Sequence, residues 1–146
     1  MFAGPDPLAG RPPLGHDVPT LQAVISAEGN MIDLYRAAIS GDSGTSAASR
    51  ARTLRPLLAQ HEQHLVQLKA RLVVPSGASA SPSPSPGRTA SSSPRAGTIN
   101  TAQLRAAERA SAADLVQRLA TVPPALAQLF ASIAASDATH VTALGG

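Results

Sequence analysis

Two pairs of residues in this chain have types and spacing that can do chemistry. His61 and His64 stand three apart in LRPLLAQHEQHLVQLKARL, and Asp137 and His140 stand three apart in ASIAASDATHV. On a helix, residues three apart share a face. Imidazole nitrogens and carboxylate oxygens gathered on one face are metal ligands or members of a proton-bearing network. Both pairs interrupt apolar stripes. The first lies among Leu54, Leu57, Leu58, Leu65, Leu68 and Leu72, the second among Leu126, Leu129, Phe130, Ile133, Val141 and Leu144. That periodicity is helical, so both pairs are predicted to point into a core. Two single carboxylates do the same elsewhere. Glu28 lies in line with Leu21, Val24, Ile25, Ile32, Tyr35 and Ile39, and Glu108 with Leu104, Ser111, Leu115, Leu119 and Val122. Polar groups on a core face need partners there.

The arrangement occurs twice. His64 follows Glu28 by 36 residues and His140 follows Glu108 by 32. In each half a lone carboxylate on one helix precedes a three-spaced pair ending in His on the next. At 1.5 Å per residue, each of these groups lies about 20 Å from its own hairpin turn. Within each hairpin they are predicted to meet.

Four helices position these residues. The first opens near Asp17, a good N-cap, with Pro19 in its first turn. It stops at Ser40-Gly41-Asp42-Ser43-Gly44. Gly29 weakens it by about 1 kcal/mol relative to Ala and is expected to permit close packing. The second runs from about Ser46 to Leu72, with Pro56 expected to kink it. Arg50, Arg52 and Arg55 read as a solvated face, and Glu62 points about 100° away from His61. The third opens on Asn100 with Gln103 three residues on, a capping-box pattern. Val122-Pro123-Pro124 ends it and starts the fourth, which closes on Gly145-Gly146. Residues 1–16 read as a flexible Pro/Gly-rich arm, in which His16 is solvated. Residues 73–99 read as a disordered Ser/Pro-rich spacer, long enough to run the length of a bundle. The expected fold is therefore an all-α antiparallel four-helix bundle over 17–144, with a long connection between its second and third helices.

Composition excludes several functions. The chain has no cysteine, so it has no disulfide, thiolate metal site or thiol nucleophile. Its net charge of +3 is small and scattered, Lys69 is its one lysine, and its aromatics are Phe2, Tyr35 and Phe130. No basic arm and no stacking platform are present, so nucleic acid is not an expected partner. No apolar run approaches the ~20 residues of a membrane span. The start, MFAGPDPLAGRPPLG, has neither the charged head nor the apolar stretch of a signal peptide. It reads like the tether that follows a processed export signal. An extracytoplasmic, cell-envelope location is the expectation, with the cytoplasm as the alternative. No nucleophile elbow or phosphate loop is present.

The order Glu28, His61-x-x-His64, Glu108, Asp137-x-x-His140 resembles the ligand pattern of ferritin-like four-helix bundles. These hold two metal ions with one Glu from each of two helices and a Glu-x-x-His pair from each of the other two. Members often carry a Tyr seven residues after the first Glu, as Tyr35 stands to Glu28. The phrases RPLLAQHEQHL and ASIAASDATHV are more closely similar to small actinobacterial ferritin-like domain proteins of unknown function, often exported. The resemblance implies a transition metal, iron, zinc, copper or manganese, held by Glu28, His61, His64, Glu108, Asp137 and His140. It also implies redox or metal-handling chemistry and a long crossover as the middle connection. Two positions depart from the pattern: His61 stands where Glu is expected, and Asp137 where the longer Glu is. Three carboxylates would leave two divalent ions with a net +1, which favours one ion or an imidazole-rich site. The alternative is a non-catalytic envelope or interaction module in which the cluster is a metal-free buried network. A second copy of the chain is a candidate partner in either case. Tyr35 is read as a packing residue whose hydroxyl reaches a partner, and Ser111 as a small packing residue.

Overall fold

A computed structural model describes residues 17–41, 43–72 and 98–145. The described residues form four helices and no strand: α1 (Asp17–Ser40), α2 (Ala47–Arg71), α3 (Thr101–Arg118) and α4 (Pro124–Ala143). Most of the expected local signals operate. Asn100 caps α3: its side chain accepts from the Gln103 N–H at 2.8 Å, and Gln103 returns an acceptor to the Asn100 N–H at 2.8 Å. Proline opens α4, where the missing N–H costs nothing. Pro56 sits on the exposed side of α2, and the helix continues through it.

Three local expectations change. Asp17 is not outside α1 as a cap. It lies within the described helix and is buried. Gly29 does not serve close packing, because a Cβ there would meet nothing within 4 Å. Arg50 is half-buried, not solvated, and donates to the Ile99 carbonyl, tying the start of α2 to the approach to α3. Thr98 and Ile99, read as linker, are therefore part of the ordered body. The expected disorder of the 1–16 arm and of residues 73–97 falls outside the described residues.

α1 packs mainly on α2 and α3 mainly on α4, so the units are two hairpins. The hairpins meet along α1 against α3 and α2 against α4. The core has two apolar layers. One holds Leu21, Val24, Leu68, Leu115, Leu126 and Phe130; the other holds Tyr35, Ala38, Leu54, Leu57, Leu104 and Leu144. Each helix contributes its beginning to one layer and its end to the other. α1 and α4 run one way and α2 and α3 the other, so every packed pair is antiparallel. Leu72 packs on the first layer and Ile99 on the second. The chain between them therefore joins opposite ends of the bundle, as a crossover requires.

Each fully buried leucine contributes about 1.5–3 kcal/mol to such layers. Between them the stripes are interrupted at one level in all four helices, and that level holds the polar residues.

Candidate metal centre

Each helix delivers polar side chains to the middle level. Glu28, His61, Glu108, Asp137 and His140 are buried there, and His64 is 12% exposed at its edge. All six residues singled out by spacing are thus brought together. Glu62, adjacent to His61, is exposed and pairs with Arg36 at 2.8 Å, as its angular position on α2 predicts.

His61 is the hub. Its Nδ1 lies 2.8 Å from Glu28 Oε1 and its Nε2 lies 2.9 Å from Glu108 Oε1. Ionised carboxylates only accept, so each ring nitrogen donates and the ring is an imidazolium. Burial opposes that charge, but the hydrogen bonds and charges of Glu108 and Glu28 outweigh it and push the pKa up to about 9. His64 and Glu28 sit on the other side, with His64 Nδ1 at 3.2 Å from Glu28 Oε1. By the resemblance, His61 was the substituted member and His64 the matching one. The geometry reverses their weight: His61 is central and His64 peripheral.

Glu108 is loaded on one oxygen. Its Oε1 accepts from the Tyr35 hydroxyl, from His61 Nε2, and from His140 Nδ1 at 3.1 Å. Burial raises a carboxyl's pKa, yet these donors hold Glu108 at about 2. Burial likewise opposes ionisation of Glu28, and the His61 and His64 hydrogen bonds outweigh it, so its pKa is lowered. Burial raises the Tyr35 hydroxyl far above its usual range, and the Glu108 carboxylate raises it further, so it stays a donor. Asp137 goes the other way. Burial raises it, the Ser111 hydrogen bond only partly compensates, and the nearby Glu108 charge adds to the rise, to about 6.

Two carboxylate oxygens are left over. Glu108 Oε2 and Asp137 Oδ1 are buried and have no hydrogen-bond partner among the described residues. An orphaned acceptor of this kind costs about 1–3 kcal/mol, more when charged. Their residues belong to a set that can converge: one ligand atom from each of His61, Glu108, Asp137 and His140 lies within 4.8 Å of the others. A second set, Glu28, His61 and His64, meets the same criterion. Two imidazoles with two carboxylates suit zinc, iron or copper, and hard-cation sites with all-oxygen shells are a poorer match.

Two supporting residues, Gln60 and Ser136, escaped the sequence reading, and a third, Ser111, is not the mere packing residue expected. Ser111 donates to Asp137 Oδ2 at 2.7 Å and so aims that carboxylate. Gln60 Oε1 lies 2.9 Å from His140 Nε2, and Ser136 donates to the same oxygen at 3.0 Å. Ser111 was visible as the one polar small residue on the α3 stripe. Gln60 was not, because it lies off the α2 stripe and reaches a different helix.

A cleft borders the centre. It has a volume of about 300 Å³, lies between α1 and α3, and is lined by Val24, Ala27, Glu28, Ala107, Ser111 and Leu115. Small alanines line it, and Glu28 and Ser111 are among its polar residues. No described helix is long and apolar enough to cross a membrane. No family model, curated protein or solved structure matches the chain, so the reading of this centre rests on its geometry and donor chemistry.

Proposed function

We propose that the chain is a ferritin-like metal-binding protein whose mid-bundle centre takes a transition metal ion at His61, Glu108, Asp137 and His140. The observation that carries this reading is that Glu108 and Asp137, each with one buried and unpartnered oxygen, fall in one ligand set with two imidazoles. The helix order, the antiparallel packing and the end-to-end connection after Leu72 support the ferritin-like part of it. Energetics point the same way. Buried ion pairs are often replaceable by apolar residues at no loss, or with a gain of about 1–4 kcal/mol. A whole polar level between two apolar layers is therefore poorly explained by stability. Ser111 and Gln60 would act as outer partners that orient Asp137 and His140. A bound iron, copper or manganese would supply electron transfer, and zinc would supply a Lewis acid or a structural tie.

One observation favours the second reading, a metal-free network in a non-catalytic envelope or interaction module. Both nitrogens of His61 are already satisfied by carboxylates. One experiment separates the two. Untagged protein purified without chelator is expected to carry at least one equivalent of transition metal by elemental mass spectrometry. The combined His64→Ala and His140→Ala substitutions are expected to remove it. Chelator should then lower the melting temperature of wild type but not of the double variant. Metal well below one equivalent after reconstitution with iron, zinc, copper and manganese in turn would leave the network reading standing alone.

A further inference from the structure

We infer that His61 bridges two metal ions as an imidazolate, one ion on each ring nitrogen. This rests on the metal-binding reading above and specifies how the centre is divided. His61 is the residue common to both ligand sets. Its Nδ1 faces Glu28, which also meets His64, and its Nε2 faces Glu108, which also meets His140. The two nitrogens of an imidazole point outward on opposite sides of the ring, so one ion cannot use both. The partners on each side are already sorted: Glu28 and His64 on one, Glu108, Asp137 and His140 on the other.

Charge balance supports the division. Glu28, Glu108 and Asp137 supply three negative charges, one fewer than two divalent ions need. In a buried centre an unbalanced charge is costly. An imidazolate at His61 supplies the fourth, so the residue that replaces a carboxylate of the ferritin-like pattern restores neutrality. Loading is a proton exchange with no change of oxidation state. Two divalent ions enter, the two His61 N–H protons leave to solvent, and each ring lone pair becomes a metal–nitrogen bond; His64 and His140, as neutral rings, each keep their one proton on the nitrogen that does not face an ion. A bound divalent ion lowers the pKa of what it touches by many units, which makes the second loss feasible.

The two positions differ. The Glu108 side has four buried protein ligands and is closed. The Glu28 side has three, with His64 partly exposed and Glu28 lining the α1–α3 cleft. Three protein ligands with an open position is the pattern of an exchangeable or reactive site. The Glu28-side ion is therefore the weaker one, and it is the one a small donor molecule can reach. Metal–nitrogen bonds of about 2 Å on both sides of the ring place the ions about 6 Å apart. A carboxylate-bridged pair would instead lie about 3.5–4 Å apart.

The test uses the wild-type chain and zinc alone. Crystals grown with excess zinc are expected to give two anomalous peaks about 6 Å apart, flanking the His61 ring. In solution, equilibrium dialysis is expected to give two ions per chain, the second at least tenfold weaker. His64→Ala, at the exposed edge, is expected to keep the first ion within threefold of wild-type affinity and lose the second. Two peaks closer than about 4 Å would overturn the bridge, as would two ions retained by His64→Ala. A single peak at the Glu108 side would overturn the bridge and leave the proposed function intact. No bound zinc would overturn the bridge, and the reconstitution with iron, copper and manganese described above then decides the proposed function separately.

Discussion

The two hairpins look like copies in sequence and behave differently in space. α1 and α2 offer a carboxylate and a three-spaced pair ending in His, and α3 and α4 offer the same. Yet the α3–α4 hairpin keeps its Glu108, Asp137 and His140 fully buried, whereas the α1–α2 hairpin leaves His64 at the edge. The α1–α2 hairpin also sends His61 and Tyr35 across to Glu108. One half is thus a fully buried cluster that draws on both hairpins, and the other is its less buried neighbour. A repeated pattern along the chain does not imply equal sites, because burial depends on which helices flank each position.

Removing the two lone carboxylates tests that asymmetry most severely. Glu108→Ala strips the partner from Tyr35, His61 and His140 at once. It is expected to cost about 3–5 kcal/mol of metal-free stability, the range for breaking a buried pair by deleting one partner. Glu28→Ala affects His61 and His64, one of them partly solvated, and is expected to cost clearly less. Chemical denaturation in chelator measures both, and equal losses would break the comparison.

The pH dependence sharpens it. His61 has its folded pKa raised from 6.5 to about 9. Its contribution is fully present below pH 6.5 and is lost as pH rises through 9. Metal-free wild type is expected to lose about 3 kcal/mol across that window. Glu108→Gln should remove most of that loss and Glu28→Gln a smaller part, since Glu108 is the stronger influence on His61. Thermal melts from pH 6 to 9.5 in chelator report it, and a flat wild-type profile would contradict the imidazolium.

A smaller effect has the opposite sign. Asp137 is raised from 3.8 to about 6, so its ionisation destabilises the metal-free fold as pH rises through that window. Asp137→Asn keeps an acceptor for Ser111 and removes the buried charge. At pH 7 it is expected to stabilise the metal-free protein by about 1 kcal/mol and to weaken metal binding at least tenfold. A variant both less stable and unchanged in metal affinity would place Asp137 outside the centre.

Much of this was legible without coordinates, for a physical reason. Helical periodicity records which face is buried, so polar residues on the stripes, Glu28, His61, Glu108, Asp137 and His140, announced themselves. Distances to the hairpin turns brought them to one level, because rise per residue is constant. What periodicity cannot carry is rotation about a helix to within a fraction of a turn. Leu65 and Leu58 lie on the same stripe as His61 and are only half-buried. Gln60, off the stripe, reaches His140 because α2 packs against α4 at that point.

The sequence by itself determined four helices, two hairpins, and a polar level of six named residues. These follow from local rules: caps, breakers and the 3.6-residue period. Only the tertiary structure decided that His61 sits between two carboxylates and divides the level in two. That depends on how two hairpins distant in sequence dock, and docking is set by the summed fit of both apolar layers, which no single stretch encodes.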